Sequence, residues 1–191
     1  MDGKQPTGNI SKALPAERLI AEALIVALLG AVAVFIRARL RIHLNMPGHH
    51  GLEVMALLMI ARSYSRIPVA GMIATTTGGL CMLIPFLGYT NPFLPLSYIM
   101  MGAGIDLFYA WFKNLKHARF FFVLMGGLAY MILPLTRLIF HFSGLYPYNS
   151  IIKAGIPYTL LSHFMFGIAG AALGAALVYS ARKMKHQKKS T

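Results

Sequence analysis

Acidic residues are scarce: Asp and Glu number 5 in 191 residues, and charged residues of both signs make up 12%. A soluble domain carries about 25% charged residues. The shortage excludes a disordered chain and argues against an ordinary water-soluble enzyme. Cysteine is just as rare. The single Cys81 lies in an apolar run, cannot form an internal disulfide, and belongs to no Cys-x-x-Cys or Cys/His metal spacing. The sequence also lacks a Walker A loop, the His-x-x-x-His of a helical zinc site, a nucleophile elbow and paired carboxylates. No enzymatic activity and no cofactor are therefore expected, and any ATP-driven work must come from another chain.

What is present is apolar surface and positive charge. Apolar residues make up 57%, the mean hydropathy is +0.63, and 18 Lys and Arg give a formal net charge of +13. A basic chain usually points to nucleic acid, but the apolar runs here point to a membrane instead. The N-terminal MDGKQPTGNISKALPAERL is polar for too long to be a secretory signal, so the first apolar segment is expected to stay in the mature protein.

A membrane helix needs about 20 mostly apolar residues. Candidate spans are Leu19–Ile36, Gly51–Ala61 (short, with Glu53), Ile67–Leu87, Pro92–Phe112 (with Asp106), Phe120–His141 (with Arg137) and Ala154–Ala181 (with His163). Cytoplasmic flanks are enriched in Lys and Arg. With six crossings and both termini inside, thirteen Lys and Arg fall inside, four outside, and Arg137 lies within a span. Dropping the short second span would split the basic termini across the membrane. The expectation is an all-α polytopic protein: a cytoplasmic tail over 1–18, a six-helix membrane domain over 19–181 and a basic cytoplasmic tail over 182–191.

The exception to the charge rule is the first outer loop, RARLRIHLNMPGHHG, with Arg37, Arg39, Arg41, His43, His49 and His50 on the outside. Arginines at a helix end can simply snorkel to the interface. Their company favours a binding site: in the six-span arrangement Glu53, Arg137, His141 and His163 fall at the same face, with Arg137 and His141 one turn apart. Ionisable groups within membrane helices are costly and usually face a cavity. Tyr89, Tyr98, Tyr146, Tyr148 and Tyr158 lie on that side too, and an interfacial aromatic belt accounts for most of them. Guanidinium groups pair bidentately with oxyanions, so Arg39, Arg41, His43, His49, His50, Glu53, Arg137, His141 and His163 are the candidate residues for an anionic ligand. The alternative is a metal or haem held by His49, His50, His141 and His163. At the other face, Asp106 is expected to partner Lys113 or another inner cation, and Glu22 to pair with Arg18.

Small residues four apart let membrane helices approach closely. The first span has Ala23, Ala27 and Ala31 in that spacing, with Gly30 alongside, and the third and sixth spans carry glycines in similar stripes. Internal packing accounts for the third; docking on another membrane protein is open for the first.

A chain of this length with six expected spans, basic ends and an Ala-x-x-x-Ala first helix resembles the substrate-binding S components of energy-coupling factor (ECF) transporters. The LGYTNPFLPLSY turn and the following GAGID are also similar to that family's third-to-fourth helix region. The resemblance implies a multi-pass protein of a prokaryotic cell membrane that takes up a vitamin or metal ligand. It implies docking on a transmembrane coupling subunit through Ala23, Ala27 and Ala31, with ATPase subunits driving release. It makes Arg37–Gly51 a lid over a ligand enclosed by the outer halves of the later helices.

Overall fold

The computed structural model describes residues 16–40, 46–114 and 118–187. Within them the chain is all helical: α1 (Ala16–Arg39), α2 (Gly51–Tyr64), α3 (Ala70–Met82), a short 3-10 turn (Pro85–Leu87), α4 (Leu94–Phe112), α5 (Ala118–Phe142), α6 (Asn149–Ala154) and α7 (Ile156–Gln187). The six longer helices form a ring in the neighbour order α1, α3, α4, α5, α7, α2, with α2 closing back on α1. Tyr98, Tyr130, Met55, Met59, Met101, Ile105 and Leu133 fill its core, each 2% exposed or less.

The outside of the ring is apolar. Leu24, Leu28, Leu80, Leu161 and Phe120 are each more than half exposed. In α1, 22% of the most apolar stretch is buried. A helix so little covered should be polar on its free face if water were the solvent; here that face is Ile20, Leu24, Leu28 and Phe35. Three helices, Ala16–Arg39, Phe120–Phe142 and Ile156–Met184, are long and apolar enough to cross a membrane. Of the other ring helices, α3 and α4 are shorter than their expected spans, and α2 runs three residues past its own to Tyr64. At 1.5 Å per residue, the 14 residues of α2 reach about 21 Å, less than a hydrocarbon core of about 30 Å. The expected span Ile67–Leu87 also shrinks: α3 starts two residues after Pro68 and stops at Met82, before the Pro85–Leu87 turn and Gly88, whose φ is +72°. The basic segment expected to be a tail from 182 is helical as far as Gln187.

Close helix contact is made where side chains are missing. Gly30 marks the α1–α3 crossing, where any Cβ would run into the backbone of Ala74. The small-residue stripe of α1 thus turns partly inward. Ala23 packs against the core, Ala27 is half-buried, and Ala31 lines a shallow apolar groove of about 350 Å³ with Phe35, Cys81 and Phe86.

Several buried polar groups tie the helices together. The Asp106 carboxylate on α4 accepts hydrogen bonds from the first-turn N–H groups of Gly71 and Met72 on α3, both at 2.8 Å. Its cation is Arg62 of α2, with Nε 3.4 Å away, rather than Lys113. Glu22 accepts the backbone N–H of Arg66, tying α1 to the α2–α3 turn.

Candidate anion-binding site at one end of the bundle

Alternating helix directions bring the end of α1, the starts of α2, α4 and α7, and the end of α5 to one end of the ring. There Arg37, in the last turn of α1, is partly buried and turned into the bundle. It donates to the Tyr98 hydroxyl and lies 5.8 Å from the Tyr89 ring centre and 5.5 Å from that of Tyr98. The Tyr89 hydroxyl in turn donates to the Val34 carbonyl at 2.9 Å, which fixes the loop before α4 against α1.

Arg137 approaches from α5. Pro134, three residues earlier, has no N–H to offer the Tyr130 carbonyl. The Arg137 guanidinium sits 5.9 Å from the Tyr148 ring, and its Nε is enclosed with no hydrogen-bond partner. Tyr148 is held by Asn91, whose side-chain oxygen accepts its hydroxyl at 2.9 Å. Tyr130 lies within electrostatic reach of Arg37, Arg137, Tyr98 and Glu53, and the two arginines repel each other. His141, one turn beyond Arg137, has an enclosed Nδ1 that also finds no partner.

The loop before α2 covers this group. Gly48, with φ +83°, lies against His163: a Cβ there would sit 2.8 Å from the imidazole ring. His163 is buried, bonds the Thr159 carbonyl through Nδ1 at 2.8 Å, and stacks on Tyr130 with ring centres 5.2 Å apart. His50 Nδ1 meets Glu53 Oε1 at 2.7 Å, while Glu53 Oε2 is enclosed and unpartnered. The His49 ring lies tilted against that of His50, with centres 4.0 Å apart, and bonds the Met46 carbonyl.

Of the residues expected from sequence, Glu53, Arg137, His141 and His163 gather at this end with His49 and His50 above them. Arg39 does not join them: it is exposed and lies 4.3 Å from the Phe86 ring centre on the outer face. Arg41 and His43 lie outside the described residues. Arg37, Tyr98, Tyr130 and Asn91 enter as residues that the sequence reading did not single out for the ligand. Among the described residues no three His, Cys, Asp or Glu side chains converge as a metal site. Neither Arg37 nor Arg137 forms an ion pair with a carboxylate among the described residues. Comparison with protein-family models, curated proteins and solved structures finds no match for this chain.

Proposed function

We propose that the protein is the substrate-binding subunit of a membrane uptake transporter that captures a small anionic molecule, a vitamin or precursor, at the outer face. The observation carrying this reading is that Arg37 and Arg137 come to one end of the bundle among Tyr89, Tyr98 and Tyr148, and neither forms an ion pair with a carboxylate among the described residues. Taking a charge out of water costs several kcal/mol unless it is paired, and a bound oxyanion supplies the missing charge to both. The enclosed Arg137 Nε and His141 Nδ1 are unused positions for bonds to such a ligand. Glu53 Oε2 offers the site one acceptor.

In this reading the six longer helices are six crossings, with loop residues completing the short α2 and α3, and both termini are cytoplasmic. The thirteen-to-four split of basic residues supports that orientation. The resemblance to ECF S components supplies the rest: a prokaryotic cell membrane, a transmembrane coupling subunit and ATPase subunits as partners, and no nucleic acid. The free apolar face of α1 is available to such a partner.

Mass spectrometry of the small molecule that co-purifies with the protein tests the proposal. An anionic molecule is expected, and Arg37→Met and Arg137→Met should each weaken its binding by about 2–5 kcal/mol. Arg39→Ala should leave binding unchanged, because its guanidinium lies on the outer face. Recovery of lipid alone, or equal affinity in the Arg37 and Arg137 variants, would count against the reading.

A further inference from the structure

The opposite end of the bundle holds a recess that the outer site does not use. The α2–α3 turn and the last turns of α4 and α7 surround a cavity of about 510 Å³, within the roughly 300–1,000 Å³ range of small-molecule sites. Its floor is a paired charge. Arg62, 5% exposed, donates to the Ser65 and Ile67 carbonyls at 3.3 and 2.9 Å, lies 3.8 Å from the Tyr109 ring centre, and pairs with Asp106. The remaining charges on the wall are Arg66, Lys113 and Arg182. Four cations against one carboxylate give the lining a formal charge of +3, and Glu22, bonded to the Arg66 N–H behind it, still leaves an excess of +2.

Basic residues at the ends of α2, α4 and α7 compensate the negative ends of those helices. That effect is satisfied by side chains extended into solvent and gives no reason for convergence on one recess. Here Arg182 reaches from α7 to donate to the Ser63 carbonyl on α2 at 3.2 Å, which fixes it at the cavity wall. The height of the recess is a second observation. It lies where the membrane-length stretch Ile156–Met184 ends. Trp111, Tyr64 and Tyr179, exposed by 62, 57 and 58%, stand at the same end. Exposed Trp and Tyr collect at the membrane–water interface, the level of lipid headgroups.

We propose that this recess binds the phosphate of an anionic phospholipid headgroup. Arg66, Lys113 and Arg182 supply the charge, and the Arg62–Asp106 pair forms the floor. Guanidinium and ammonium groups both bind phosphate oxygens through charge-assisted hydrogen bonds. The site is independent of the outer one and of which side of the membrane it faces.

Full-length protein in detergent is titrated with phosphatidylglycerol and, separately, phosphatidylcholine, with bound lipid counted by native mass spectrometry. A parallel melting series uses inorganic phosphate alone. The first phosphatidylglycerol should bind at least about tenfold tighter than phosphatidylcholine, because basic side chains at a membrane surface favour lipids of net negative charge. The double variant Arg66→Ala/Arg182→Ala should lose that preference, and Arg66→Lys/Arg182→Lys should keep it. Lys113→Ala, which leaves the Ser63 contact in place, should weaken it as well. A melting shift with inorganic phosphate that the double alanine variant abolishes, without a lipid preference, would assign the same recess to a soluble phosphate compound. Equal binding of both lipids with no phosphate shift, or a preference that survives in a folded double alanine variant, overturns the site.

Discussion

Asp106→Ala removes a carboxylate that joins α2, α3 and α4 at the end of the ring opposite Arg37 and Arg137. Its carboxylate accepts the Gly71 and Met72 N–H groups at 2.8 Å each and faces Arg62 Nε at 3.4 Å. The two side chains are 10% and 5% exposed. Hydrogen bonds to a charged acceptor contribute about 1.5–3 kcal/mol each. Removing one partner of a buried ion pair costs about 3–5 kcal/mol, because the other charge is left uncompensated. These losses overlap, since the same carboxylate serves all three donors. Water from the adjoining cavity can solvate part of the exposed floor. The expected net destabilisation is therefore about 3–5 kcal/mol, the cost of the broken pair rather than the sum.

Asp106→Asn should cost less, about 1.5–3 kcal/mol, because the amide oxygen still accepts one of the two N–H groups. Unfolding in mixed detergent micelles with rising SDS, followed by circular dichroism, measures both. A double-mutant cycle with Arg62→Met should give a coupling of at least about 1 kcal/mol, since deleting the cation relieves the charge that Asp106→Ala strands. An Asp106→Ala variant within about 0.5 kcal/mol of the wild type, the range of an ordinary surface substitution, would refute the reasoning. So would a cycle without coupling.

Cysteines placed at positions 3 and 190 in a Cys81→Ser background should resist an impermeant thiol reagent in intact cells and react after permeabilisation; labelling of either before that contradicts cytoplasmic termini. Ala31→Leu, in the groove beside Phe86, should leave ligand binding intact but impair complex assembly or transport, as should Ala27→Leu. If binding and assembly both survive, this flank of α1 is packing or lipid-facing surface. Gly48→Ala should destabilise the folded protein by about 1–3 kcal/mol, because φ +83° strains an L residue and the new methyl meets the His163 ring; unchanged stability in the same SDS titration would mean that the loop before α2 can refold around it.

Hydropathy located α1, α5 and α7 because each is a long run with few or no charges, and the helices found there overlap the expected spans Leu19–Ile36, Phe120–His141 and Ala154–Ala181. It overextended α3 for a physical reason. The run from Leu83 to Leu87 is as apolar as the helix before it, but Pro85 and the left-handed Gly88 turn the chain. Transfer free energy does not register a missing N–H, so the proline was the informative residue there. The short α6 has six residues and carries no periodicity long enough to read. Asp106 was legible as a paired group, but the identity of its cation was not. Lys113 is nearer in sequence, whereas Arg62 arrives from another helix through the ring order.

The candidate site was legible as a local excess of Arg and His and not as a geometry, and Arg37 and Arg39 show why. The two are separated by two residues, which turns them about 200° apart on a helix of 3.6 residues per turn. One faces the bundle and the other the outer surface. The register that decides between them was present in the chain: Val26, Gly30 and Ala33 are buried on α1, and Arg37 is the next residue in that 4-3-4 spacing. Density along the loop weighted Arg39 and Arg41 instead. The same distinction sorts the tyrosines. Tyr158 is 46% exposed, as a belt residue should be, whereas Tyr98 and Tyr130 are buried beside the arginines. An arginine carried inward on the packed stripe of a helix needs a counter-charge close by. Among the described residues Asp106 is committed to Arg62 and α3, Glu22 to the Arg66 backbone and Glu53 by one oxygen to His50, while Glu17 lies in the first turn of α1, at the other end of that helix from Arg37. If, as proposed, a bound anion supplies the charge that Arg37 and Arg137 lack, ligand affinity and the stability of this end of the bundle should rise and fall together.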